Sequence, residues 1–240
     1  STGMPPMLDA TPVYGTFGNT VVNAGHIVTG EDGTGIKFMD QYGISSNTIT
    51  NSGDITSGDY GYGVMLDGSA FSALDSTGNT VSNTGRISVG DFGEGVVLWD
   101  INDSTISNLG TIEAGIEGTG VDIQGSGNKL TNWGRIRVDA SLLDDDGYSD
   151  AIFVRGNGNT VNLEGHSSLG ITGETGKITG KMVDSSGNAN ILNVNFTGLS
   201  PEVKADLEDM IDGQVDDSGN PTGETVVFDV RGVHYIVDPM

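Results

Sequence analysis

Apolar and polar positions alternate along this chain in short runs, and the runs recur in a fixed order. The phrase Asn19-Thr-Val-Val-Asn-Ala-Gly-His-Ile27 returns as Asn47-Thr-Ile-Thr-Asn-Ser-Gly-Asp-Ile55 and Asn79-Thr-Val-Ser-Asn-Thr-Gly-Arg-Ile87. Two further copies are Ser104-Thr-Ile-Ser-Asn-Leu-Gly-Thr-Ile112 and Asn128-Lys-Leu-Thr-Asn-Trp-Gly-Arg-Ile136. Asn159-Thr-Val-Asn-Leu-Glu-Gly is a degraded sixth copy and Asn188-Ala-Asn-Ile-Leu a more degraded seventh. Their starts are separated by 28, 32, 25, 24, 31 and 29 residues. A second phrase falls between copies: Gly33-Thr-Gly-Ile, Gly61-Tyr-Gly-Val, Gly93-Glu-Gly-Val and Gly118-Thr-Gly-Val. A period of two predicts half-buried strands, not helices.

Each unit predicts three short strands. One carries the apolar residue of Asn-Thr-Val, and the next is centred on Ile27, Ile55, Ile87, Ile112 and Ile136. The last points Ile36/Phe38, Val64/Leu66, Val96/Leu98, Val121/Ile123 and Ile152/Val154 inward. Runs this short cannot bury enough surface alone, so the units must stack and pool their apolar faces. The fold class is therefore all-β, a parallel β-helix of three-strand coils with about six to seven rungs, right-handed by analogy. Asn23, Asn51, Asn83, Asn108 and Asn132 share one coil position and predict a ladder in which each amide donates to the next. Glycines at the corners would supply positive φ or close packing.

The repeat fades after Ser167. Ser200-Pro201 through Gly213 carries an N-cap, a proline at the first helical position and a glycine stop, which predicts a helix. Thr225–Val230 and Val233–Val237 flank Arg231-Gly232 and predict a β-hairpin. Such a segment would cap the strand edge that a solenoid leaves open. The division is thus 1–18 lead-in, 19–198 β-helix repeats and 199–240 C-terminal cap.

Composition narrows the partners. With 33 Asp+Glu against 10 Lys+Arg the net charge is −23, so no basic surface exists for nucleic acid. The absence of cysteine excludes disulfides and thiolate metal sites. A hydrophobic share of 35% suffices for a core, and no apolar run reaches the ~18 residues of a spanning helix. The Ser-Thr-Gly-Met start reads as a mature or excised fragment.

The alternation of Asn-Thr-Val/Ile-x-Asn-x-Gly-x-Ile with Gly-x-Gly-Val over about residues 19–195 resembles the passenger domains of bacterial autotransporters, the self-associating adhesins of type V secretion especially. The resemblance implies a passenger displayed on, or released from, the outer membrane of a Gram-negative bacterium. Anchoring would depend on a barrel domain missing from these 240 residues. It also implies a capped C-terminal end, and the lack of cysteine fits passage through an outer-membrane pore. Neither Gly-Asp-Ser-Gly nor Gly-x-Ser-x-Gly, the nucleophile motifs of some passengers, occurs here.

Superposed coils place Glu31-Asp32, Asp59-Tyr60, Asp91-Phe92 and Ile116-Glu117 at one corner, with Thr34, Tyr62, Glu94 and Thr119 just beyond. This edge reads either as a solvated acidic rim or as a binding edge for a cation, a protein receptor or a sugar held by Tyr60, Tyr62 and Phe92. The outward side of the third strand carries Met39, Met65, Val97 and Trp99, either an exposed contact patch or a face covered by the insertion Ser69–Ser76. A second insertion, Ala140–Tyr148, holds Asp144, Asp145 and Asp146, weak calcium candidates against an ordinary acidic turn. Asp216-Asp-Ser-Gly-Asn220 is oxygen-rich, but Val227 stands where a bidentate carboxylate is needed. His26, His166 and His234 are too far apart along the stack to share a metal.

The leading expectation is a non-enzymatic surface protein, without a catalytic site or cofactor and with calcium as the one candidate ion. Its partners would be further copies of itself, or a protein or glycan on a host or bacterial surface. Binding would use Asp59, Tyr60, Tyr62, Asp91, Phe92, Glu94, Met65, Val97 and Trp99 on the side of the rod. One alternative is a polysaccharide lyase or glycoside hydrolase, for which Arg86, Arg135, Arg137 and Arg155 form the only basic grouping and no carboxylate pair stands out. Another is a purely structural shaft of a larger surface protein.

Overall fold

The structure is a computed structural model that describes residues 16–40, 42–68, 76–139, 150–163, 178–182, 191–194, 226–230 and 233–237. Three parallel sheets line the stack, and each complete turn gives one strand to each of them. The first, the ladder sheet, comprises Thr20–Asn23, Thr48–Asn51, Thr80–Asn83, Thr105–Asn108, Lys129–Asn132, Thr160–Leu163 and Ile191–Val194. The second, the middle sheet, comprises His26–Val28, Asp54–Thr56, Arg86–Ser88, Thr111–Ile116 and Arg135–Asp139. The third, the long-strand sheet, comprises Thr34–Met39, Tyr62–Asp67, Glu94–Trp99, Thr119–Gln124, Asp150–Arg155 and Ile178–Met182. The middle sheet has five strands, so the complete three-sheet turns number five among the described residues; the long-strand and ladder sheets, with six and seven coil strands, reach the expected six to seven rungs.

Register follows the repeat phrases. Ile87 pairs with Ile55 below and Ile112 above, and Ile112 with Ile136. Ile55, Ile87 and Ile112 are fully buried and join Val64, Leu66, Val96, Leu98, Val121 and Ile123 in one continuous core. The seventh copy is displaced from its sequence alignment: Ile191, not Ala189, lies opposite Thr160. That shift sets Leu192 on Val161, apolar on apolar, whereas a start at Asn188 would set Asn190 there.

Val226–Val230 and Val233–Val237 pair antiparallel, and the second of them extends the long-strand sheet by pairing parallel with Ile178–Met182. The predicted hairpin therefore exists and occupies the edge of that sheet, the place a cap must cover. The helix expected from Ser200 to Gly213 lies outside the described residues, as do the insertion residues 69–75 and 140–149. Among the described residues no helix is long and apolar enough to cross a membrane.

The buried amides hold the register. Asn23 Nδ2 donates to Asn51 Oδ1 at 2.8 Å, Asn51 to Asn83 at 2.8 Å, Asn83 to Asn108 at 2.8 Å and Asn108 to Asn132 at 2.7 Å. Each amide also reaches a backbone carbonyl, as Asn108 does at Gly110 and Arg135, so the buried donors are satisfied. A second ladder stands at the head of the phrase. Asn47, Asn79 and Asn128 each accept the backbone N–H of the preceding rung, and Ser104 Oγ takes that place for Asn79.

Close approach, not positive φ, explains the second Gly of Gly-x-Gly. A Cβ at Gly95 would overlap Ile112 Cγ2 and the Gly120 carbonyl oxygen. The left-handed corner positions are instead occupied by Asp32, Tyr60, Phe92 and Glu117, with φ of 55°, 56°, 57° and 53°.

Replacing Asn108 with alanine removes one acceptor of the Asn83 amide and the Asn108 donor to Asn132 Oδ1, both in the core. Urea unfolding should show a loss of about 2 kcal/mol, the usual penalty for an orphaned buried polar group. The outward Ser107→Ala variant on the same strand should change stability by less than ~0.5 kcal/mol.

Candidate functional site

Two groups of side chains stand out, and stacking assembles both from residues a full turn apart. The first is the corner after the middle sheet. Its backbone is superposed turn on turn: Asp32, Tyr60 and Phe92 N–H donate to the carbonyls of Asp59, Asp91 and Ile116. Asp59 Oδ1 accepts the Asp91 N–H at 3.0 Å, and Asp91 Oδ1 accepts the Ile116 N–H at 2.9 Å. These carboxylates thus cap backbone donors along the stack, which keeps like charges in one column without leaving amides unpaired.

On the same corner the Tyr60 and Phe92 rings stack at 4.9 Å with an interplanar angle of 5°. Both are exposed, at 51% and 43%. A bulky side chain in the left-handed region costs about 1 kcal/mol relative to glycine, which is why glycine, Asn and Asp dominate such corners. An offset aromatic pair returns about that much. Two strained aromatics in register on an exposed edge therefore present a flat apolar surface bordered by carboxylates.

The second group lies on the outer face of the long-strand sheet. Register places Tyr62, Glu94 and Thr119 in one column, Met65, Val97 and Asp122 in the next, and Asp67, Trp99 and Gln124 in a third. Trp99 Nε1 and Gln124 Nε2 both donate to Asp122 Oδ2, at 3.1 and 2.8 Å. Tyr62 meets the Trp99 ring edge-on at 5.6 Å. Asp122 is 4% exposed, and Asp122 Oδ1 and Glu94 Oε2 are buried with no donor from any other group. The two carboxyls lie close enough to act on each other's protonation. Burial, then the Asp122 charge and the contact with Asp122, pushes the Glu94 carboxyl up to about 8. Burial also raises Asp122, opposed by its hydrogen bonds from Gln124 and Trp99. Tyr62 is raised by burial and then by Glu94 and Asp122.

Of the two readings of the outer face, exposed patch or covered face, the burial of Met65 and Val97 agrees with the second. Met65 and Val97 are buried, so they offer no exposed contact; Trp99 is half-buried and only Met39 is fully open. Both stand in the column that continues to the buried Asp122. The residues brought together on this face are Tyr62, Glu94, Trp99, Asp122 and Gln124. Glu94 and Asp122 occupy different phrases and different columns of the repeat, so nothing in the spacing pairs them; only diagonal contact between rungs does.

The basic grouping divides. Arg86, Arg135 and Arg137 lie on the middle sheet, with Thr111 between Arg86 and Arg135, whereas Arg155 lies on the long-strand sheet. Arg86 grips Glu113 Oε2 through Nε and Nη2 at 3.1 and 2.6 Å. His26 is an exposed residue paired with Asp54 at 2.9 Å.

No family model, curated protein or solved structure matches the chain. Among the described residues no three His, Asp or Glu side chains are grouped to hold a metal ion, and Asp144, Asp145 and Asp146 lie outside them.

Because the folded Glu94 carboxyl stands above its ordinary value of 4.5, its contribution to stability is fully present below about pH 4.5. That contribution is lost as pH rises through about 8. Urea midpoints of the wild type should fall relative to Glu94→Gln between pH 5 and about 8.5; parallel curves would contradict the assignment.

Proposed function

We propose that this chain is a non-enzymatic binding rod that adheres or self-associates through the side of a rigid β-solenoid, as part of an exported bacterial surface protein of the autotransporter passenger kind. The exposed Tyr60–Phe92 stack carries the reading. Backbone strain at both positions opposes aromatic residues, and their burial is too small to compensate through the core. Recognition of an apolar or sugar-ring face supplies a reason for them, and the flanking Asp59 and Asp91 supply acceptors for hydroxyl groups.

A rod also multiplies weak contacts when two lie side by side. At −23 net charge, parallel rods repel one another at low ionic strength, so association should strengthen with salt and at low pH. Calcium bridging between acidic corners belongs to the same reading. The carboxyl pair at Glu94 and Asp122 does not favour a glycoside hydrolase: each carboxyl has a buried oxygen that no donor reaches, whereas a hydrolase opens its pair, about 5–9 Å apart, to the substrate.

Sedimentation velocity of the full chain should show association that rises from low to moderate salt. It should be lost in the double variant Tyr60→Asn, Phe92→Asn, which keeps a residue suited to the left-handed corner and removes only the rings. A monomer under every salt, calcium and pH condition, together with no glycan binding, would contradict the proposal. Turnover of a polysaccharide by the purified chain would favour the enzyme class instead.

A further inference from the structure

The outer face of the long-strand sheet holds a feature that the binding-rod reading does not use. Glu94 projects from the first position of Glu94–Trp99, and Asp122 from the fourth position of Thr119–Gln124 one rung on. Asp122 Oδ2 is occupied by the Trp99 and Gln124 donors. That leaves Asp122 Oδ1 and Glu94 Oε2, two buried oxygens that no donor reaches, on carboxyls close enough to act on each other. Two acceptors in contact cannot form a bond unless one carries a hydrogen, and two negative charges there would repel strongly in so dry a place.

The charges around the pair do not change that balance. On Tyr62–Asp67 stand Tyr62 and Asp67, and the turn before Thr34–Met39 adds Asp32, all of them acidic. Lys37 on Thr34–Met39 is in register with Met65, one rung from Val97. On Asp150–Arg155 the register places Asp150 in the column of Glu94 and Arg155 in the column of Gln124. Only Arg155 adds a positive charge that acts on Asp122, and its side chain is exposed. No buried cation is available among the described residues to neutralise a doubly charged pair.

We propose that Glu94 and Asp122 share a single proton and form a pH-operated latch on this face, closed while the proton is held and open once it is lost. In the closed form the Glu94 hydroxyl donates to Asp122 Oδ1, and the bond ties adjacent rungs beneath the Tyr62–Trp99 edge contact. Transfer of that proton to a base in solution leaves two carboxylates that separate and draw in water. Water then reaches Trp99 and the column of Met65 and Val97, which are 2% and 0% exposed when the latch is closed. The raised Glu94 carboxyl places the opening in the mildly alkaline range, around pH 8.

The test uses the full chain carrying Trp133→Phe, so that Trp99 is the sole tryptophan of the original two. Acrylamide quenching of its emission is followed from pH 6 to pH 9.5. Quenching should rise severalfold with a midpoint near pH 8. The rise should vanish in Glu94→Gln, whose amide donates to Asp122 Oδ1 without titrating, and in Asp122→Asn, whose amide donates to Glu94. It should survive in Tyr62→Phe, which excludes phenol ionisation as its source.

A transition of equal size in Glu94→Gln would overturn the proposal, and so would constant quenching up to pH 9.5 in the parent. Millimolar calcium that abolishes the transition by occupying the pair would overturn it too, because the site would then hold a cation and not a proton. If both amide variants fail to fold, carbon NMR of the glutamate carboxyls in the parent decides: one glutamate titrating near pH 8 supports the latch, and none above pH 6 refutes it.

Discussion

The whole molecule depends on the buried amide column from Asn23 to Asn132. An asparagine inside an apolar stack is tolerable only if its oxygen and both hydrogens find partners, and here those partners are the next asparagine and nearby backbone carbonyls. A slip of one residue between rungs would strand every amide in the column and turn the isoleucines outward. The ladder therefore fixes register more sharply than apolar packing does, since Ile, Val and Leu exchange places in the core with little penalty. Strands of three to six residues, too short to be stable alone, acquire a single arrangement from it.

Fixed register converts distance along the chain into adjacency along the rod. Several clusters join successive rungs, directly or on a diagonal: Tyr60 with Phe92, Asp59 with the N–H of Asp91, Arg86 with Glu113, Glu94 with Asp122. A scaffold of this kind can carry side chains that would destabilise a looser fold. The left-handed aromatics at the corner and the proton-sharing carboxyls on the flat face are both local conflicts, held in place by a core that satisfies its polar groups elsewhere. Conflicts of that sort concentrate where a protein is used, not where it is merely held together.

Much of this was legible in the sequence because the repeat is written in residues with narrow physical roles. Asn and Gly at constant offsets, with one isoleucine after them, determine strand, turn and inward face together, and the pairing of Ile87 with Ile55 and Ile112 follows directly. What escaped has physical reasons. The second amide ladder was hidden because Ser104 interrupts it. The burial of Met65 and Val97 cannot be read from alternation, which gives the side a residue faces but not whether that side is covered. The Glu94–Asp122 contact is diagonal, between different positions of successive phrases, and alignment of like with like does not reveal it. The corner aromatics were visible as types, but their positive φ was not, because nothing in Asp-Tyr-Gly or Asp-Phe-Gly marks the middle residue as left-handed.

The central claim is that residues one repeat apart sit on top of one another. With no native cysteine, Ser52→Cys and Thr84→Cys place two labels 32 residues apart at exposed positions just after the paired Asn51 and Asn83. Labelled with pyrene maleimide, this pair should show strong excimer emission. Thr84→Cys with Asp100→Cys, only 16 residues apart but at different corners of the turn, should show monomer emission. Excimer emission from the second pair and not the first would contradict the stacked solenoid and every surface derived from it.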